Sequence, residues 1–84
     1  MAFNIEELKM VSRKVVGTKQ TLKTINKGEA KHVIIAKDAE EKVVSPLIEL
    51  CKEKDISWSY AESMSELGNA CGIKVGASAA ALIE

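Results

Sequence analysis

The 84-residue sequence is poor in the side chains that most chemistry requires. It holds one histidine, His32, and two cysteines, Cys51 and Cys71, with no C-x-x-C between them. Three Cys/His side chains are one short of a closed structural zinc site unless a carboxylate joins them, so no metal is expected. No run of 18 apolar residues is present, so no transmembrane helix is expected, and no membrane is expected among the partners. The start, Met1-Ala2-Phe3-Asn4, has neither a basic stretch nor an apolar one, so no signal peptide is expected. Cytoplasm is then the expected location, where disulfides are rare, and both thiols read as small buried hydrophobes. There is no G-x-S-x-G, H-E-x-x-H or P-loop. His32 opens an apolar run, where a lone histidine is more often packed or on the surface than a general base. The carboxylates fall as solvated helix-face charges. Neither catalysis nor a cofactor is expected.

What is present is ordinary for a folded protein: 46% hydrophobic and 29% charged residues. A chain of this length hides about 60–65% of its unfolded surface on folding. That suffices for one modest core and one domain, with little room for a deep active-site cavity. The net charge of zero conceals segregation. Residues 1–37 hold eight basic groups against three acids, whereas residues 38–84 hold four lysines against nine acids. Such asymmetry makes a polyanion a plausible partner for one end of the molecule.

Ile5, Leu8, Val11 and Val15 recur at spacings of three and four, which predicts an amphipathic helix over 5–15 with Asn4 as N-cap. Gly17 breaks it, with room for a very short strand at Val15-Val16. Thr18 can cap a second helix over 19–27, closed by Gly28 as its C′ residue. The β-branched run His32-Val33-Ile34-Ile35-Ala36 predicts a buried strand, followed by a charged loop from Lys37 to Lys42. Val44, Leu47, Ile48 and Cys51 mark a third helix ending near Lys54, with Pro46 in its first turn, where a missing N–H costs nothing. Ser57-Trp58-Ser59-Tyr60 alternates as a strand with both aromatics on one face. Ser63-Met64-Ser65-Glu66 is a capping box opening a helix that buries Met64, Leu67 and Cys71 and ends at Gly72. Ala77 to Ile83 suits a helix by propensity, but its position after a helix and a glycine loop favours a strand. The order of elements predicts an α/β fold, a three-layer α/β/α sandwich around a small mixed four-stranded sheet.

The second helix is the informative element. At 100° per residue, Lys19, Lys23, Lys27 and Gln20 fall within about one quadrant, while Thr18, Leu22 and Ile25 face the opposite side. A solvated helix face accounts for this pattern by itself. Three features add to it. The polar residues begin at the helix N-terminus, where free N–H groups and the dipole attract phosphate. Gly17 lets the backbone approach a ligand closely. A lysine in the first turn opposes the dipole, a local cost that a bound anion would offset. In Gly72-Ile73-Lys74-Val75-Gly76, two branched apolar residues cannot both be buried easily. Isolated exposed apolar residues are normal, and an apolar platform for an unstacked base is the alternative.

Gly17-Thr18-Lys19-Gln20-Thr21-x-Lys23, Val33-Ile34-Ile35-Ala36-Lys37-Asp38-Ala39 and Leu67-Gly68-Asn69-Ala70-Cys71-Gly72-Ile73 together resemble the kink-turn-binding ribosomal-protein family, the large-subunit "L-seven-Ae" type, and most of all its short bacterial members. The resemblance runs from about Leu8 to Ile83. It implies the same sandwich, no enzymatic activity, and residues 1–84 as a single RNA-binding domain. Its implied target is a helical RNA with a short bulge and tandem sheared G·A pairs, within ribosomal RNA or a structured mRNA leader. By resemblance, Gly17, Thr18, Lys19, Gln20 and Lys23 enter the groove at the G·A pairs. Lys19 and Gln20 then meet guanine edges, and Lys23 approaches phosphate. Ile73, Lys74 and Val75 pack against extruded bulge nucleotides, and Glu40 to Val44 border the same pocket. Lys14, Lys27 and Lys37 would add phosphate attraction. Archaeal and eukaryotic members have Asn-Glu where this chain has Lys19-Gln20. Lysine can donate to guanine O6 or N7, and Gln20 keeps an acceptor oxygen, uncharged and so weaker.

The expected function is a monomeric binder of kink-turn RNA that stabilises the bent form. The alternative is a protein–protein module docking through the Ile73/Val75 loop.

Overall fold

The computed structural model describes residues 13–83, over which strands and helices alternate. The elements are β1 (Lys14–Val16), α1 (Thr18–Asn26), β2 (His32–Ala36), α2 (Glu41–Glu53), β3 (Ser57–Ala61), α3 (Met64–Ala70) and β4 (Ala79–Leu82). The strands form one mixed sheet in the order β1-β4-β2-β3. Strands β2 and β3 run parallel, and β4 is antiparallel to both β1 and β2.

The β-branched run becomes β2 because both of its faces are covered. Val33 and Ile35 join Ile25, Val44, Leu47, Cys51, Ala79 and Ala81 in a core beneath α1 and α2. Ile34 and Ala36 join Ala61, Leu67, Ala70, Ala77, Ala80 and Leu82 on the α3 side. A strand buried on both sides loses polar alternation and reads as a continuous apolar run. The result is the three-layer sandwich expected from the order of elements. Ala79, Ala80 and Ala81 are fully buried in β4, so burial in a central strand overrides the helical preference of alanine.

Several boundaries differ from the sequence reading. Most of the helix expected over 5–15 lies outside the described residues, but Lys14 and Val15 belong to β1, paired with Leu82 and Ala81. Helix α1 starts at Thr18, with Gly17 rather than Thr18 as its N-cap. The reason is that the Gly17 carbonyl already accepts from the Thr21 N–H at 2.9 Å. At the other end, the Gly28 N–H reaches the Ile25 carbonyl and the Glu29 N–H the Thr24 carbonyl, a Schellman closure with Gly28 at C′. Helix α2 begins at Glu41, inside the segment expected as loop, because the Glu40 carbonyl accepts from both Val43 and Val44 N–H groups. Pro46 therefore sits in the second turn and deprives the Lys42 carbonyl of its helical donor. Ser63 caps α3 as expected, its Oγ accepting from the Glu66 N–H at 3.0 Å.

Trp58 packs beside the α1/α2 core. Tyr60, on the same face of edge strand β3, is 54% exposed. Cys51 is buried, Cys71 only half-buried, and neither forms a disulfide. Burial raises both thiol pKa values, and the Lys14 ammonium partly offsets this at Cys71. His32 Nε2 lies 2.9 Å from Ser59 Oγ on the neighbouring strand. Among the described residues, no helix is long and apolar enough to cross a membrane.

Candidate nucleic-acid interface

Because β1, β2 and β3 point the same way, α1, α2 and α3 all begin at one end of the sheet. In open α/β sheets this carboxyl end of the parallel strands is where ligands bind. Hydrogen bonds tie its segments together in sequence across the sheet. Gly17 N–H donates to the Ala79 carbonyl (2.9 Å), Ala36 N–H to the Ser78 carbonyl (2.9 Å), and Lys37 N–H to the Ala61 carbonyl (2.9 Å). Met64 N–H donates to Asp38 Oδ1 at 2.7 Å, and Ala77 N–H returns to the Met64 carbonyl at 3.0 Å. With neighbouring strands about 4.8 Å apart, the row from Gly17 to Ala61 spans roughly 14 Å.

The three helix starts are not equivalent. Helix α3 has Ser63, Asp38 and Glu66 at its first turn, and α2 has Glu41. Helix α1 has no side-chain cap and no acid in its first turn. Its first N–H groups therefore keep their partial positive charge for an external acceptor. Gly17 holds φ +101° and ψ 150°, a region open essentially to glycine alone. Nothing lies within 4 Å of where its Cβ would be, so the turn is bare as well as strained for any other residue.

Lys19, Gln20, Lys23 and Lys27 are all exposed on one side of α1. None of the three lysines has an ion-pair partner among the described residues. Lys19 and Gln20 lie in the first turn. Lys27 follows two turns later, about 12 Å along the axis, given 1.5 Å per residue. The buried side of α1 includes Thr21 and Thr24 beside Ile25, a threonine contribution that a purely apolar count overlooks. Thr24 donates to the Gln20 carbonyl at 2.8 Å, while Thr21 Oγ1 has no hydrogen-bond partner among the described residues.

The loop after α3 divides its two apolar residues. Ile73 is half-buried against the α3-side core, and Val75 is 71% exposed. Lys74 beside it is exposed. Val75 and Lys74, with Ser63, Ser65, Glu66 and Asn69, line an open depression over α3. Glu40 is exposed at the N-cap of α2, but Val44 is buried in the core, only 5% exposed. Lys14 lies at the opposite end of the sheet, at the start of β1, where its charge reaches Cys71.

The family model for the ribosomal protein L7Ae/L30e/S12e/Gadd45 family matches residues 3–84. The chain belongs to this family. An RNA-binding protein of Caldanaerobacter subterraneus subsp. tengcongensis is 52% identical over 69 residues, covering 82% of this chain and 84% of its own. An RNA-binding protein of Halalkalibacterium halodurans is 46% identical over 77 residues, covering 92% and 94%. Among solved structures, the Giardia lamblia 15.5kD RNA binding protein is similar with a TM-score of 0.84 at 28% identity, covering 95% of this chain and 68% of its own.

In this member of the L7Ae/L30e/S12e/Gadd45 family, three residues at the site carried no assigned role in the sequence, although Asp38 and Gly68 stand in the segments that bear the resemblance. Asp38 caps Met64 across 26 positions of chain. Glu62 Oε1 pairs with Lys37 Nζ at 3.0 Å across 25 positions, so Lys37 enters the site already partnered. Gly68 lies against the backbone of the returning loop. None has a local signal, since each depends on which segments the fold brings together.

Proposed function

We propose that residues 1–84 act as a single, non-enzymatic RNA-binding domain in the cytoplasm, a monomer that recognises kink-turn RNA and holds it bent. The observation that carries the reading is the start of α1. It is a helix N-terminus free of side-chain caps and acids, bordered by a bare Gly17, with Lys19, Gln20 and Lys23 exposed beside it. Lys19 donates to guanine O6 or N7, and the Gln20 oxygen accepts from guanine N–H groups. Lys23, and more distantly Lys27, attract phosphate. Val75 supplies an exposed apolar contact for an extruded base, with Ile73 behind it as support. The names of the relatives, which are RNA-binding proteins, support the same reading.

Side chains cannot read the narrow A-form major groove, so Lys19 and Gln20 reach base edges only where sheared G·A pairs open it. A ligand that binds one conformer draws the equilibrium toward it, and the bent RNA is stabilised in this way. The test is a titration of kink-turn RNA and of a plain duplex across a series of salt concentrations. The expected result is a clear preference for the kink-turn at every salt, with affinity falling as salt rises. Equal affinity for both RNAs contradicts the proposal. No RNA binding, together with salt-insensitive binding of a protein through the Ile73/Val75 loop, would favour the docking-module reading.

A further inference from the structure

We propose that Gly68 is the positioning residue of the 73–76 loop, acting on RNA through Val75. Gly68 lies in the middle of the seven-residue α3 and is buried, although glycine in a helix interior is locally unfavourable. A Cβ at this position would overlap the Val75 carbonyl oxygen, and would lie 3.0 Å from the Val75 carbonyl carbon and 3.2 Å from Gly76 Cα. The obstacle is backbone, which cannot swing aside as a flexible side chain could.

Two further contacts hold the loop along the same flank of the helix. Ile73 N–H donates to the Gly68 carbonyl at 3.0 Å, and Ala77 N–H donates to the Met64 carbonyl at 3.0 Å, one turn earlier. Beside that second anchor, a Cβ on Gly76 would come within 3.1 Å of Met64 Cβ. Anchored at both turns, the loop turns Ile73 toward the core and leaves Val75 outward, 71% exposed. Glycine at 68 is what permits the backbone contact between the anchors.

The inference rests on the RNA reading of Val75, and a double-mutant cycle separates the two. Gly68→Ala, Val75→Ala and the double variant are titrated with kink-turn RNA and with plain duplex, and each is melted. Each single substitution should weaken kink-turn binding about tenfold, and the double variant should bind no more weakly than Gly68→Ala alone. Duplex binding, driven by the α1 lysines, should be unchanged. A general loss of folding would instead weaken both RNAs together. Additive losses in the double variant, or wild-type affinity for Gly68→Ala, overturn the positioning role while leaving the RNA reading intact. A wild-type protein without kink-turn preference overturns both. If Gly68→Ala melts below the assay temperature, Gly76→Ala, which meets the Met64 side chain and backbone, takes its place in the cycle under the same criterion.

Discussion

Asp38 Oδ1 accepts a 2.7 Å hydrogen bond from the Met64 backbone N–H, so the loop after β2 and the start of α3 are joined. Ser63 Oγ satisfies a second amide of the same turn. Asp38→Ala removes one cap and keeps the other. Loss of a helix-start acceptor costs roughly 0.5–2 kcal/mol, and a urea titration should show that loss as a lower midpoint at unchanged slope. Asp38→Asn keeps an acceptor oxygen and should recover most of it. An unshifted midpoint for Asp38→Ala would remove Asp38 as an anchor.

Lys37 and Glu62 form a 3.0 Å ion pair whose side chains are 54% and 73% exposed. Exposed pairs contribute little to stability, so Glu62→Gln should leave the melting temperature nearly unchanged. It frees the Lys37 charge beside the proposed RNA. Kink-turn binding should tighten and its salt slope steepen by somewhat less than one unit. An unchanged slope would show that Lys37 faces no phosphate.

Lys23 and Gln20 separate attraction from reading. Lys23→Ala should weaken binding to every RNA about equally and make the salt slope shallower by somewhat less than one unit. Gln20→Ala should lose roughly 1–3 kcal/mol on the kink-turn at an unchanged slope. Identical behaviour of the two variants would reverse these assignments.

Val75, being exposed, gives a further check. Val75→Asp should shift stability by no more than about 0.5 kcal/mol, yet weaken kink-turn binding roughly ten- to hundredfold by losing an apolar base contact and repelling phosphate. A melt and a titration on one purified variant suffice. An intact melt with unchanged affinity would take the loop out of the site.

The parts of the fold legible in the sequence were those set by local pattern. Val33 to Ile35 announced a doubly covered strand, Ser63 and Glu66 a helix start, and Gly28 a helix end. The polar quadrant of α1 followed from spacing alone. What stayed hidden depended on tertiary context. Thr21 and Thr24 are buried because their arc faces the sheet, which hydroxyl-bearing side chains do not advertise. Pro46 stands in the second turn because the Glu40 carbonyl starts α2 earlier than the apolar stripe suggests. The pairing of Lys37 with Glu62, of Asp38 with Met64, and the contact of Gly68 with Val75 each join segments that only the folded sheet brings together.

The most direct test of the central claim compares one kink-turn RNA with a control in which only the tandem G·A pairs are replaced by Watson–Crick pairs. Both keep the same length, bulge and phosphate count, so electrostatic attraction is held constant. A gel-shift titration of the wild-type protein at one salt concentration should show binding to the kink-turn at concentrations that leave the control unshifted. Equal shifts for the two RNAs would contradict base reading by Lys19 and Gln20, and would leave a basic helix face with no specificity of its own.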